Sequence, residues 1–406
     1  MKNTIVSHRK KIHPRIYLDH AATTPVEKKV YRKMERFFTD NFYNPSALYH
    51  EGVMTRRALR DAREHVAGLI GALVDEICFT SGGTESDNLA VVGTVRAFRR
   101  ANNQVKPHIV TSAIEHPAIL ASCRALEEAG EADVTYVGVS ASGIVDPKDV
   151  RDALRKNTVL VSIMHANNEI GTIQPLRAIA AIIRARRKDT GSPYPYFHTD
   201  ACQSANYLDT NVLRLGVDMM TLNGSKIYGP KGVGFLYVKR DISIDPLARG
   251  GGQEFGLRAG TENVPGIIGL AEALAITEHM KEKEAERLLV LRDRLIDRIC
   301  ATIPGVFLNG DPKERLPNNV NLSIPRVESE QMVIELDAHG VACSARSACK
   351  SADEGASHVI MALGTVTDET TGIIRFTLGR STRKADVDHV AEVFSAVVQK
   401  ITEATL

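Results

Sequence analysis

The chain has 406 residues, 43% of them hydrophobic and 25% charged, and a formal net charge of +2 at pH 7. That balance excludes a disordered polymer and leaves room for one large domain and a smaller one, and the small net charge gives no global bias toward nucleic acid or an acidic partner. No apolar run approaches the roughly 20 residues of a bilayer span, and no apolar h-region marks the N-terminus, so no membrane contact and a cytoplasmic location are expected.

In chain order, the basic cluster Arg9-Lys-Lys11 reads as a solvated terminus. The spacing Leu59, Ala62, Val66, Leu69, Ile70, Leu73 predicts an amphipathic helix. Short β-rich runs then alternate with helical patterns, with strands predicted at Glu76–Thr80, His108–Ser112, Val134–Val137, Val159–Met164, Tyr196–Asp200, Asp218–Leu222 and Gly234–Val238. This alternation predicts an α/β fold with a mostly parallel sheet, whose strand ends carry ligand sites. After Gly266 a long helical pattern runs to about Thr302, with the charged stretch Glu278-His-Met-Lys-Glu-Lys-Glu-Ala-Glu-Arg287 inside it, and reads as a domain connector. A second α+β unit follows, with a strand at Asn319–Ile324, a helix from Glu328 to His339, a strand near Val341, and a final pair of elements near Ile373–Leu378 and Val387–Thr402. The large domain is expected over residues 30–266 and the small one over 1–29 and 267–406.

The six cysteines, Cys78, Cys123, Cys202, Cys300, Cys343 and Cys349, form no C-x-x-C pair and no zinc-type cluster, so free thiols in a reducing compartment and no metal are expected. Five read as small core hydrophobes. Cys349 differs, because it lies in a small, polar stretch, Val341-Ala-Cys-Ser-Ala-Arg-Ser-Ala-Cys-Lys-Ser-Ala-Asp-Glu-Gly355, that reads as an exposed loop. Arg346 and Lys350 beside it favour the nucleophilic thiolate.

The run Leu222-Asn-Gly-Ser-Lys-Ile-Tyr-Gly-Pro-Lys-Gly232 holds Lys226 between glycines after an apolar stretch, shortly after Phe197-His-Thr-Asp-Ala-Cys-Gln203. A lysine so placed can form a Schiff base with an aldehyde cofactor, and Asp200 could hold the ring nitrogen of pyridoxal phosphate. An isolated aspartate at a strand end also serves as a cap or turn former. In Phe79-Thr-Ser-Gly-Gly-Thr-Glu-Ser-Asp-Asn88 a strand passes through two glycines into a helix, so backbone N–H groups and the helix dipole could cradle a phosphate at Gly83 and Thr84. By itself that turn is an N-cap, and neither G-x-x-x-x-G-K-[ST] nor G-x-G-x-x-G occurs there.

His116, in Ile114-Glu-His-Pro-Ala118, could stack on a pyridine face and move protons, or simply make a turn. Asn168, in His165-Ala-Asn-Asn-Glu-Ile-Gly171, either binds a ligand or closes a turn. Gln203 could reach the cofactor's phenolic oxygen, or be polar surface. Arg375, in Ile373-Ile-Arg-Phe-Thr377, could clamp a carboxylate if it points inward, which would make the substrate an amino acid; otherwise it is an exposed edge residue.

Together these residues resemble those of the cysteine desulfurases, pyridoxal-phosphate enzymes of fold type I in the class V aminotransferase group. The resemblance runs from Ile16-Tyr-Leu-Asp-His-Ala-Ala-Thr-Thr-Pro25 to Ile374-Arg-Phe-Thr-Leu-Gly-Arg380, through Asn44-Pro-Ser46, Thr80–Asn88, Ser162–Gly171, Lys226–Gly232 and Gly250-Gly-Gly-Gln-Glu254. The Ser347-Ala-Cys349 loop and its spacing to Ala362-Leu-Gly364 resemble the long-loop, NifS/IscS-type branch.

The resemblance implies a large domain with a mostly parallel seven-stranded sheet and a smaller α+β domain. It implies that Lys226 carries the cofactor, Asp200 meets the pyridine nitrogen, Gln203 and Asn168 lie on the ring-hydroxyl side, His116 stacks and transfers protons, and Gly83 and Thr84 hold the phosphate. Thr261, in Arg258-Ala-Gly-Thr261, matches a threonine that reaches the other subunit's phosphate, which implies a homodimer. Arg375 would hold the L-cysteine carboxylate. The implied reaction removes sulfur from L-cysteine, gives L-alanine and a persulfide on Cys349, and passes that sulfur to an acceptor protein for iron–sulfur cluster assembly or tRNA thiolation, with no direct nucleic-acid contact.

Asn223 and Ser225 stand where relatives place serine and histidine, and both can still donate to a phosphate. The chain stops at Thr402-Glu-Ala-Thr-Leu406 without the extended tail some relatives use to dock a cluster scaffold, which leaves the acceptor open. Two other readings stand beside this one. The first is a sister enzyme, a selenocysteine lyase or a class V aminotransferase, which has no use for a loop thiol if it transaminates. The second is a sulfur-carrier platform that has lost the cofactor.

Overall fold

The structure is a computed structural model in which residues 15–345, 357–364 and 371–405 are described. The chain opens with β1 (Ile16–Tyr17), α1 (Lys28–Thr39) and α2 (His50–Ile70). Alternating elements follow: β2 (Ile77–Thr80), α3 (Gly83–Ala101), β3 (His108–Ser112), α4 (Pro117–Glu128), β4 (Asp133–Val137) and α5 (Pro147–Ala153). Next come β5 (Thr158–Ser162), α6 (Leu176–Thr190), β6 (Tyr196–Asp200), α7 (Val212–Leu215), β7 (Met219–Asn223) and β8 (Gly234–Val238). The long α8 (Val264–Thr302) leads to β9 (Phe307–Leu308), β10 (Asn319–Ile324), α9 (Ser329–Ala338) and β11 (Val341–Ala342). Then α10 (His358–Leu363), β12 (Gly372–Thr377) and α11 (Lys384–Thr405) complete the described chain.

The seven-stranded sheet has the order β2-β8-β7-β6-β5-β3-β4. Only β8 runs against its neighbours; the other pairs are parallel. Every residue of β3, β5, β6 and β8 is buried, as expected of strands covered by helices on both faces, and this is why they read as continuous runs rather than alternating ones. Since β2 and β7 both oppose β8, they share the direction of β6, β5 and β3. The C-terminal ends of these five strands therefore lie along one edge of the sheet, where ligands bind in open α/β folds.

One core lies between the sheet and α1, α2, α6 and the first half of α8, and a second between the opposite face and α3 and α4. A third joins Leu18 to Leu288, Leu291, Leu295 and Ile299 of α8, to β10 and β12, and to α9 and α11. The helix α8 thus contributes Val264–Leu274 to one core and Leu288–Ile299 to another. In the smaller unit β10 pairs antiparallel with β12 and β9, while β1 joins β11 in parallel.

Several sequence expectations shift on inspection. Glu76 falls in a 3-10 turn, where its carboxylate accepts from Leu73 N (2.8 Å) and Arg240 N (2.9 Å), so the strand starts one residue later. Ile163 and Met164 leave the sheet and lead into the site. Cys300 was expected in a core and is exposed: it follows the buried Ile299 on α8, and one residue turns a helix by about 100°, away from the core. Cys343 is half-buried rather than enclosed.

Candidate active site

A cavity of about 170 Å³ opens at the C-terminal edge of the sheet. Its lining includes Gly83, Thr84, His116, Asn168, Asp200, Gln203, Asn223, Lys226 and Arg375, all singled out from the sequence.

Asp200 ends β6 and is 7% exposed; its Oδ1 accepts from Cys202 N at 2.9 Å, so the carboxylate shapes its own turn while facing the cavity. The neighbouring β7 ends at Asn223 and passes into a tight 3-10 turn, Gly224–Lys226. A Cβ on Gly224 would lie 2.8 Å from Pro230 O, which is why this turn takes glycine. Lys226 Nζ donates to Ala21 O (2.8 Å) and Ala22 O (2.6 Å), while Gln203 Nε2 donates to Ala21 O (3.0 Å). The N-terminal segment therefore closes one wall with backbone carbonyls.

A second wall is the start of α3. Gly82 has φ 149°, a conformation open to glycine, and a Cβ on Gly234 would approach Gly82 Cα to 2.8 Å, so β8 and the turn pack backbone to backbone. The first turn of α3 has Ser86 N bonded to Gly82 O (3.1 Å), and the N–H groups before it have no intrahelical acceptor. The positive end of the helix dipole is thus directed at Gly83 and Thr84.

The third wall comes from β3, β5 and β12. His116 caps α4, with Nδ1 accepting from Ala118 N (3.2 Å), which leaves the neutral ring's proton on Nε2; burial holds its pKa below the ordinary value. Beside it, buried Glu115 accepts from Ser112 Oγ (2.6 Å) and Met164 N (2.9 Å), and burial pushes its carboxyl up to about 8. The two adjacent amides divide their work. Asn167 builds the turn, with Oδ1 accepting from Glu169 N (2.8 Å) and Ile170 N (3.0 Å), and Asn168 is left to face the cavity. Arg375 is 2% exposed, inward rather than on an edge; it donates to Asn168 O (2.9 Å) and Asp19 Oδ1 (2.8 Å). Its Nε is buried with no hydrogen-bond partner among the described residues.

Sequence reasoning missed a polar group behind Asp200. Asp87 lines the cavity, is 1% exposed, and burial followed by the nearby Asp200 charge raises its pKa well above the carboxylate range. His198 Nε2 lies 3.8 Å from Asp87 Oδ1 and 3.0 Å from Thr221 Oγ1, and His198 Nδ1 lies 2.9 Å from Ser162 Oγ. Burial lowers the His198 pKa to about 4, so this ring is neutral. Asp87 stands four residues after Gly83 on α3, and that i, i+4 spacing within an already selected motif was the available signal. Cys202, expected only as core filling, also lines the cavity.

Two expected residues are not among the cavity's lining: Ser225 turns its hydroxyl to Asn223 Oδ1 (3.1 Å), and Thr261 is exposed on a separate loop. Cys349, with Arg346 and Lys350, lies outside the described residues. No His, Cys, Asp and Glu group among the described residues could hold a metal ion.

The aminotransferase class-V family model matches residues 16–390. A cysteine desulfurase IscS from Dictyoglomus turgidum is 46% identical over 386 residues, covering 95% of each chain. One from Methanosarcina thermophila is 45% identical over 386 residues, covering 95% of this chain and 92% of its own. Among solved structures, a NifS-like protein superposes with a TM-score of 0.86 at 32% identity over 95% of this chain and all of that one. DndA from Streptomyces lividans superposes with a TM-score of 0.74 at 34% identity over 89% of this chain and 99% of its own. The match extends through the sheet, the cavity and most of the smaller unit, and the chain belongs to the class-V aminotransferase family.

Proposed function

We propose that this protein is a cysteine desulfurase that takes sulfur from L-cysteine, leaves L-alanine, and passes the sulfur through Cys349 to an acceptor protein. One observation carries the reading: Lys226, Asp200 and the start of α3 face a single cavity, with Arg375 inside it. The curated relatives named cysteine desulfurase, similar along nearly the whole chain, support it.

The donor set fits pyridoxal phosphate. A lysine amine, a buried carboxylate and a helix N-terminus answer its aldehyde, ring nitrogen and phosphate, and the cradle keeps its room because Gly83 has no side chain: a Cβ there would meet Cys202 Sγ at 3.0 Å. When bound, the cofactor supplies an electrophilic aldehyde and an electron-accepting ring. Lys226 Nζ, held by the Ala21 and Ala22 carbonyls, is the amine that binds it. Gly83, Thr84 and Asn223 would hold the phosphate, Asp200 the ring nitrogen, and Asn168 and Gln203 the ring hydroxyl. His116 would stack on the ring and move the substrate proton. Arg375, whose buried Nε has no hydrogen-bond partner among the described residues, would fork onto the substrate carboxylate. The Cys349 thiolate attacks the substrate sulfur, forming an S–S bond as the carbon–sulfur bond breaks, and the carbon skeleton leaves as alanine.

Thr261, outside this cavity, is assigned to the phosphate of a second subunit, so the working form is a homodimer. The acceptor serves iron–sulfur cluster assembly or tRNA thiolation. A cytoplasmic location belongs to the same proposal, and the unpaired thiols of Cys78, Cys123 and Cys202 suit a reducing compartment.

The test is the visible spectrum of the purified protein, followed by alanine and sulfide release from L-cysteine with a reductant. A yellow protein that releases both is expected. A yellow protein that releases neither keeps the fold and removes the function, and a colourless protein unchanged by added pyridoxal phosphate favours the platform reading. Intact alanine release from Cys349→Ala would point to a sister enzyme with no need of the loop thiol.

A further inference from the structure

Ser225 stands where the resemblance expects an imidazole, and it is not among the residues that line the cavity. Both its backbone N–H and its hydroxyl reach Asn223 Oδ1, each at 3.1 Å. A backbone N–H can only donate, so the atom it meets has to be the amide oxygen. That fixes the Asn223 flip and leaves Nδ2 on the other side. A Cβ built on Gly83 would lie 3.6 Å from this Nδ2, while one on Gly82 would be 3.9 Å from both Nδ2 and Oδ1, so it is at Gly83 that the NH2 group borders the cradle at the start of α3.

We infer that Ser225 is a positioning residue: it latches the Asn223 carboxamide so that both Nδ2 protons face the cofactor's phosphate, and does not itself touch that phosphate. The inference rests on the pyridoxal-phosphate reading above. The latch has a firm base, since Ser225 O accepts from both Thr24 N and Thr24 Oγ1 at 2.9 Å. An ordinary asparagine turn would need only the backbone N–H. The hydroxyl adds a second donor to the same oxygen, and a rotated amide would lose both bonds and set donor against donor. In this chain the phosphate contact of the missing imidazole passes to a side chain two residues earlier, held by a residue that is not among the cavity's lining.

The dissociation constant for pyridoxal phosphate, measured by fluorescence on the reconstituted full-length protein, separates the two roles. Ser225→Ala is expected to weaken binding roughly three- to tenfold, the range of one net hydrogen bond, and Ser225→Thr to restore it. Asn223→Ala weakens binding further, and adding Ser225→Ala to it costs nothing more, because the latch then has nothing to hold. Unchanged affinity in Ser225→Ala, or losses that add in the double variant, would overturn the inference, the second by putting the hydroxyl on the phosphate. A lower melting temperature in Ser225→Ala with unchanged affinity overturns it as well. Failure of the parent protein to bind pyridoxal phosphate is a different result and sinks the functional reading itself.

Discussion

The buried Arg375 and the half-buried Asp19 form an ion pair, Nη2 to Oδ1 at 2.8 Å, that ties a strand of the smaller unit to the N-terminal segment at the edge of the cavity. The pair holds one side of the guanidinium while Nη1 rests on Asn168 O, so the fork is oriented before substrate arrives. Such preorganisation favours a carboxylate ligand, since no rotamer needs to be frozen on binding.

From this geometry, Arg375→Lys should bind L-cysteine at least about tenfold more weakly, because an ammonium keeps the charge and loses the planar fork. Initial rates over a range of L-cysteine concentrations read this as a raised KM with a smaller change in kcat. An unaltered KM would mean that the carboxylate is held elsewhere.

Cys202 places a thiol in the cavity, and its chemistry differs from that expected of Cys349. Burial, then the Asp200 charge, raises its pKa well above the ordinary thiol value, so it stays protonated and is a poor nucleophile. Cys202→Ser should keep alanine release within about twofold of the parent, whereas Cys349→Ala removes persulfide formation. Mass spectrometry of peptides after exposure to L-cysteine should find added sulfur on the Cys349 peptide; added sulfur on the Cys202 peptide would reverse the assignment.

Much of the site could be read from local sequence because each part sits at the end of a strand: Asp200 after β6, Lys226 after β7, Gly83 after β2, His116 after β3. A strand's apolar run and the polar residues that follow it are both visible without knowing the fold. The carbonyls of Ala21 and Ala22 were not legible, since a backbone contact across about 200 residues leaves no side-chain signature. The pairing of β1 with β11 escaped for a related reason: two-residue strands have no period to detect. Asn167 and Asn168 could not be told apart by spacing, because the choice of turn builder depends on Ile114 O, which accepts from Asn167 Nδ2 at 2.8 Å. Asp87 carries no signal of its own in a polar helix start; its character comes from burial and from the Asp200 charge that the fold brings near it.

Glu115 makes stability depend on pH in a defined direction. Its folded-state pKa is about 8 against an ordinary 4.5, with burial the main cause. Between those values the folded protein keeps a proton that the unfolded chain releases, so this group costs stability as pH rises through the window, and the cost levels off above about 8. Glutamine is neutral at every pH, so Glu115→Gln should gain stability over the parent between pH 5 and pH 8, by up to about 1.4 kcal/mol per pH unit. Urea unfolding at both pH values measures the difference; a constant offset would show that Glu115 ionises in the folded protein as readily as in the unfolded chain.

His116 is assigned two roles that one substitution can separate. Phenylalanine keeps an aromatic face for stacking but cannot carry a proton, so His116→Phe should retain most of the cofactor affinity and lose about 100-fold or more in alanine formation. The pH profile adds an independent check. Burial lowers the His116 pKa, so the neutral ring persists to pH values below 6.5, and the rate should climb with pH through that lowered value and then stay flat as far as this group is concerned. The acid limb belongs to the imidazole and should disappear from the residual activity of His116→Phe. A variant that loses cofactor while its remaining holoenzyme turns over at the parent rate would leave His116 with stacking alone, and the proton would have to be moved by another group, with Lys226 a candidate in the same cavity.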